Sequence, residues 1–172
     1  MKPLSTLIVI LLLSACSLAP ASMGPVPGGM LLEGAGERID HVDVMVETTQ
    51  TRLMVATSWR KGEQHVVFMD PLAKVIAEAS WYGEQWRFSG LAKKELPMHA
   101  IINLISWTRG SSSAVKRQVE ALGGTYQESP EARLIRFTQP QQRIDIRYTD
   151  EDSVTVQASI GSTKTVLSIR QL

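Results

Sequence analysis

Cys16 is the only thiol of the chain, and His41, His65 and His99 are its only imidazoles. A lone thiol excludes an internal disulfide and a zinc site built on a cysteine pair. The histidines are scattered, and no His-x-x-x-His spacing brings two onto one helical face. His41-Val42-Asp43 places an imidazole and a carboxylate on one face of an alternating segment. Two such groups do not complete a metal site, and a solvated strand face is the expectation there. Gly110-Ser111-Ser112-Ser113-Ala114 comes close to the Gly-x-Ser-x-Gly nucleophile elbow. The elbow needs a strand before it and a helix after it. Here a helical pattern precedes, so these serines are expected to cap a second helix. Residues 24–36 are glycine-rich but lack the lysine and the strand–helix setting of a phosphate cradle. Lys93-Lys94, Lys116-Arg117, Arg143, Arg147 and Arg170 read as solvated surface charges. No acid, base and nucleophile converge, so neither an enzyme nor a metal or other cofactor is expected.

The elements that carry these residues begin with a leader. Lys2 precedes an apolar run over residues 7–13, followed by the small residues Ser14 and Ala15. A positive start, an apolar middle and a small-residue end describe a secretory signal over residues 1–15. The run is shorter than the ~20 residues that span a bilayer. Residues 16–37 are crowded with Pro20, Pro25, Pro27, Gly24, Gly28, Gly29, Gly34 and Gly36 and read as a flexible tether. Residues 38–172 remain as one domain, long enough to bury a core. Lys and Arg number 18 against 17 Asp and Glu in the 172-residue chain. Such balance argues against a nucleic-acid partner and gives no polybasic hold on a membrane. A 44% apolar and 20% charged composition is an ordinary globular mix.

Within the domain, Val42, Val44 and Val46 alternate on one face, as do Leu53, Val55, Thr57 and Trp59. Residues 64–69, 73–81 and 85–88 read as three more strands, with turns at Lys61-Gly62-Glu63 and Tyr82-Gly83-Glu84. Regular short strands with turns between them argue for an antiparallel sheet rather than βαβ units. The period then changes. Pro97 suits the first position of a helix, and Met98, Ile101, Ile102 and Ile105 share one face of it. A second helix carries Val115, Val119 and Leu122 and stops at Gly123-Gly124. Strands return over residues 132–138, 142–149, 153–160 and 164–170, with Gln139-Pro140-Gln141 and Gly161-Ser162 between pairs. The sum is five strands, two helices and four strands. This is a mainly β fold of the α+β kind, a half-open antiparallel barrel or curved sheet with helices over its concave face. Trp59, Trp81, Trp86 and Trp107 are expected to pack in the core.

Two resemblances add to this reading. Leu13-Ser14-Ala15-Cys16 resembles the bacterial lipobox. It implies that Cys16 becomes the mature N-terminus, carrying S-diacylglycerol and an N-acyl chain such as palmitate, and Ser17 after it implies the periplasmic face of the outer membrane. Several acyl chains anchor stably where one does not. The domain, from about Asp40 to Leu172, resembles the LolB-like outer-membrane lipoproteins, including an uncharacterised group associated with aryl-polyene pigment clusters. The resemblance lies in Val66-Val67-Phe68-Met69-Asp70-Pro71-Leu72-Ala73, where the family has a strand, Pro-Leu-Gly and another strand. The helix ending near Trp107 and the alternating segment 142–148 also match. It implies a cavity for the acyl chains of a lipid or lipoprotein, received from a LolA-like periplasmic carrier, and a membrane-inserting loop at Pro71 and Leu72. Ala73 departs from the family glycine. Val44, Val55, Val67, Val75, Ile101, Ile102 and Ile105 are the expected cavity lining. A structural lipoprotein that holds a protein partner at the outer membrane is the alternative.

Overall fold

The computed structural model describes residues 31–83, 85–90, 98–138, 141–160 and 163–172. The leader, Cys16, most of the tether, Glu84, Lys93-Lys94, Pro97, Gln139-Pro140 and Gly161-Ser162 lie outside the described residues.

Alternation over the first half folds into β1 (Gly36–Val46), β2 (Thr49–Arg60), β3 (Glu63–Met69), β4 (Val75–Trp81) and β5 (Trp86–Gly90). Two helices follow, α1 (Met98–Arg109) and α2 (Ser112–Ala121). Then come β6 (Thr125–Ser129), β7 (Ala132–Phe137), β8 (Gln142–Tyr148), β9 (Ser153–Ile160) and β10 (Thr163–Gln171). All ten strands join one antiparallel sheet in the order β5-β4-β3-β2-β1-β10-β9-β8-β7-β6. Two five-stranded meanders therefore meet at the β1–β10 pairing, and the sheet is not closed into a barrel.

The expected faces hold in β1, β2 and β8. Val42, Val44, Leu53, Val55, Ile144 and Ile146 point into the core. Three expectations need correction. Strand β6 was not anticipated, because Tyr126 is its one half-buried residue and an edge strand with one apolar contact leaves no period to read. The tether ends earlier than residue 37: Leu31 and Leu32 pack on the core, and the Leu31 amide donates to Ser106 Oγ at 2.8 Å. Helix α1 does not show a single apolar stripe. Asn103, Leu104, Ser106, Trp107 and Thr108 are buried along with Ile101, Ile102 and Ile105. A helix buried on all sides needs cover on each, which the sheet, α2 and residues 31–32 supply. Ser111 caps α2 as expected, its Oγ accepting from the Ala114 amide and its carbonyl from the Val115 amide.

Candidate functional site

The β3–β4 connection is held by its own polar atoms. Asp70 Oδ1 accepts from the Leu72 and Lys74 amides at 2.9 and 3.0 Å. The Ala73 amide donates to the Asp70 carbonyl, and the Asp70 amide to the Lys74 carbonyl. This Asx-type turn, with Pro71 fixing one φ, leaves the tip little freedom. Leu72 stands at the tip with 89% of its surface exposed, the most exposed large apolar side chain among the described residues. Ala73 adopts φ +61°. That left-handed conformation costs an alanine about 1 kcal/mol. Ala73→Gly is therefore expected to raise unfolding stability by about 1 kcal/mol. Urea denaturation checks this, and an unchanged or lowered midpoint would mean that the methyl group makes a compensating contact.

The sequence-predicted cavity residues divide between the two faces of the sheet. Val44, Val55, Ile101, Ile102 and Ile105 are together in the core, each 0–3% exposed. Val67 and Val75 are not with them. In β3 the inward side chains are Val66 and Phe68, so Val67 takes the opposite face. Val75 is 50% exposed. The β3–β4 register shifts between Phe68 and Met69, which pairs Phe68 with Ala77 but Met69 with Val75. That bulge turns Val75 to the outer face beside Met69.

On this outer face the pairings place Ile39 beside Ala56 and Ala56 beside Val67, with Met54, Met69 and Val75 in the next row. Leu172, 61% exposed, donates its amide to the Ile39 carbonyl. An apolar stripe thus crosses the outer face from the C-terminal residue toward the Leu72 tip. Two open clefts flank it. One, of about 730 Å³, is lined by Glu37, Trp59, Arg60, His65 and Tyr82 among others. The second, of about 570 Å³, reaches from Pro71 across β2, β1, β10 and β9.

Among the described residues, one carboxylate, that of Asp40, is fully buried. Arg38 and Asp40 continue the inner face of β1 beyond Val42 and meet Arg109 at the end of α1. Asp40 is fully buried, and its Oδ1 accepts from Arg38 Nε at 2.8 Å and from Arg109 Nη2 at 3.2 Å. Asp40 Oδ2, Arg38 Nη2 and Arg109 Nε have no partner among the described residues. Burial and then the Arg38 charge pull Arg109 below its ordinary pKa, while Asp40 pulls it up. The signal for this trio was present in the sequence. Arg38 and Asp40 share the parity of Val42 and Val44, which puts charges on a core-facing row.

The last turn of α1 is bound by a second cluster. Arg133 Nη1 donates to the carbonyls of Trp107 at 2.9 Å and Gly110 at 2.8 Å, and its Nε to Glu128 Oε1 at 2.8 Å. Its guanidinium lies 5.5 Å from the Tyr148 ring centroid, and the Tyr148 hydroxyl donates to the Thr108 carbonyl. Burial pushes Glu128 up, but hydrogen bonds from Ser112 and Arg133 outweigh it and hold the carboxyl below its ordinary pKa. Ser112, in the nucleophile-elbow look-alike, spends its hydroxyl on Glu128, and Ser111 donates to Glu33 Oε1 at 2.6 Å.

The histidines stay apart. His65 lies 3.7 Å from Glu78 on the outer face. His99 stacks 4.0 Å from the Phe88 ring centroid, and burial lowers its pKa. His41 and Asp43 share the outer face of β1, as their spacing implied. No group of three metal-ligating side chains forms among the described residues, and no described helix is long and apolar enough to cross a membrane. Neither a protein-family model nor a curated protein matches the chain.

Proposed function

We propose that the protein is a lipid-anchored lipoprotein of the outer membrane that binds the acyl chains of a lipid or lipoprotein and assists their transfer into the bilayer. The observation that carries this reading is the Pro71–Leu72 tip, a braced turn that spends its rigidity on holding an aliphatic side chain in solvent. Burying a leucine side chain is worth about 1.5–3 kcal/mol, and that gain is open to Leu72 only against an apolar phase. The outer stripe of Ile39, Ala56, Val67 and Met69 continues the apolar surface behind it.

Reach is compatible with this role. Gly36 lies opposite Trp59, and Met69 opposite Met54. Met69, the last paired residue before the tip, is thus about 17 Å along the sheet from the start of β1. Cys16 precedes Leu31 by 15 residues, a span of up to about 50 Å when extended. An anchor at Cys16 and a tip at Leu72 can meet one membrane.

Vesicle flotation of residues 17–172, which lack both the leader and the acylated Cys16, tests the tip. Leu72→Glu is expected to lower the bound fraction at least tenfold, the factor that loss of about 1.5 kcal/mol of burial implies. Equal flotation of both chains would refute the insertion role.

A second reading is favoured by one observation. Val44, Val55, Ile101, Ile102 and Ile105 are packed to 0–3% exposure, so an acyl chain enters only if α1 separates from the sheet. A filled interior suits a structural lipoprotein that holds a protein partner. Native mass spectrometry separates the two: bound lipid supports the carrier, and a bare chain with no uptake of an acyl probe supports the structural role.

A further inference from the structure

The cleft beside Pro71 is built from two adjacent rows of outward side chains. Met54, His41, Arg170 and Ser153 form one, and Arg52, Asp43, Ser168 and Thr155 the other. Rows two residues apart along a strand are about 7 Å from each other, and neighbouring strands about 4.8 Å. Arg52 and Arg170 therefore rise from strands about 10 Å apart, with Asp43 on the strand between them. The volume of about 570 Å³ lies within the usual span of ligand sites, about 300–1,000 Å³.

The charges are mixed. Arg52 and Arg170 supply two cations, and Asp43 supplies an anion inside the cleft. Asp150 stands near enough to Arg170 to feel its charge. Arg52 Nε meets Asp43 Oδ1 at 3.1 Å, but both side chains are open to solvent at 70% and 46%. An exposed pair of this kind holds by at most about 1 kcal/mol and yields readily to a ligand. Ser153, Thr155 and Ser168 add hydroxyls, which donate or accept. A simple anion would leave Asp43 facing like charge. A ligand with both a phosphate and an ammonium satisfies every group, the phosphate between the guanidiniums and the ammonium on the carboxylate.

We propose that this cleft binds the headgroup of a zwitterionic phospholipid with a primary ammonium, such as phosphatidylethanolamine. The inference rests on the bilayer-facing reading of Leu72 for its setting: a tip among acyl chains brings its neighbour Pro71, and with it this cleft, to headgroup depth. Arg52 and Arg170 hold the phosphate diester. Asp43 accepts from the ammonium, which a quaternary ammonium cannot supply.

The test uses the lipidated full chain in maltoside micelles, with soluble headgroups as probes and the amide and Arg Nε–H resonances of Arg52, Ser168 and Arg170 as readout. Glycerophosphoethanolamine is expected to give saturable shifts at these residues, with glycerophosphocholine and inorganic phosphate at least tenfold weaker. Asp43→Asn is expected to erase the preference for the primary ammonium, and Arg52→Gln with Arg170→Gln to erase binding. Leu72→Glu is expected to leave these titrations unchanged while it lowers flotation of the non-lipidated chain at least tenfold, so the two readings fail separately. Equal shifts with inorganic phosphate would make the cleft a free-anion site, and no saturable shift would make it a solvated sheet face. Either result overturns the proposal.

Discussion

Asp40→Ala lowers the unfolding free energy by about 3–5 kcal/mol, the usual cost of breaking a buried ion pair from one side. The variant leaves Arg38 and Arg109 facing each other at 18% and 10% side-chain exposure with no carboxylate between them. Asp40→Asn retains an acceptor but not the charge, so it falls between the variant and the parent. Replacing Arg38, Asp40 and Arg109 together by Met, Leu and Met is expected to recover most of the loss, because an apolar trio carries no desolvation cost. Urea denaturation of the four chains decides this. A triple variant no better than Asp40→Ala would show that the trio holds α1 through geometry that apolar packing cannot replace.

Arg133→Ala is the second large effect, about 2–4 kcal/mol. It strips the Trp107 and Gly110 carbonyls of their donor at the end of a buried helix, where each unsatisfied acceptor costs about 1–3 kcal/mol. It also removes the partner of Glu128 and the cation over Tyr148. Arg133→Lys keeps the charge but loses the fork that reaches carbonyls and carboxylate at once, so it recovers less than half of the loss. The pH dependence provides a separate check. Glu128 has its folded pKa held below the ordinary value, so its contribution is present above the unfolded pKa and is lost as pH falls through the folded one. Arg133→Ala should therefore flatten the acid limb of stability against pH. An unchanged limb would mean that other carboxylates set it.

The strands were legible where one face is apolar and the other wet. Arg143, Asp145 and Arg147 against Ile144, Ile146 and Tyr148 leave one choice, and β8 follows it. Val66-Val67-Phe68-Met69 leaves none. Four apolar residues in succession do not say which pair turns inward, and the structure turns Val66 and Phe68 in and Val67 out. Val75 failed for a different reason, since the bulge that re-aims it is a property of two strands together. The helix α1 was found by its period, but its full burial was not, because Asn103, Ser106 and Thr108 look like an exposed face until residues 31–32 and α2 cover them. The Pro71–Leu72 turn was identified by its sequence, and its projection into solvent is a matter of geometry that Asp70 decides. The cleft beside it could not be read at all, since its walls are four strands drawn from both ends of the chain.

The first and last strands meet at the middle of the sheet, through seven paired positions from Asp40 with Gln171 to Val46 with Thr165. Each half can zip locally as it emerges, but the seam between them waits for β10, the last strand among the described residues. Until then each half shows a bare strand edge, open to a stranger's strand. Removing β10 would therefore part the sheet at its centre rather than fray a border.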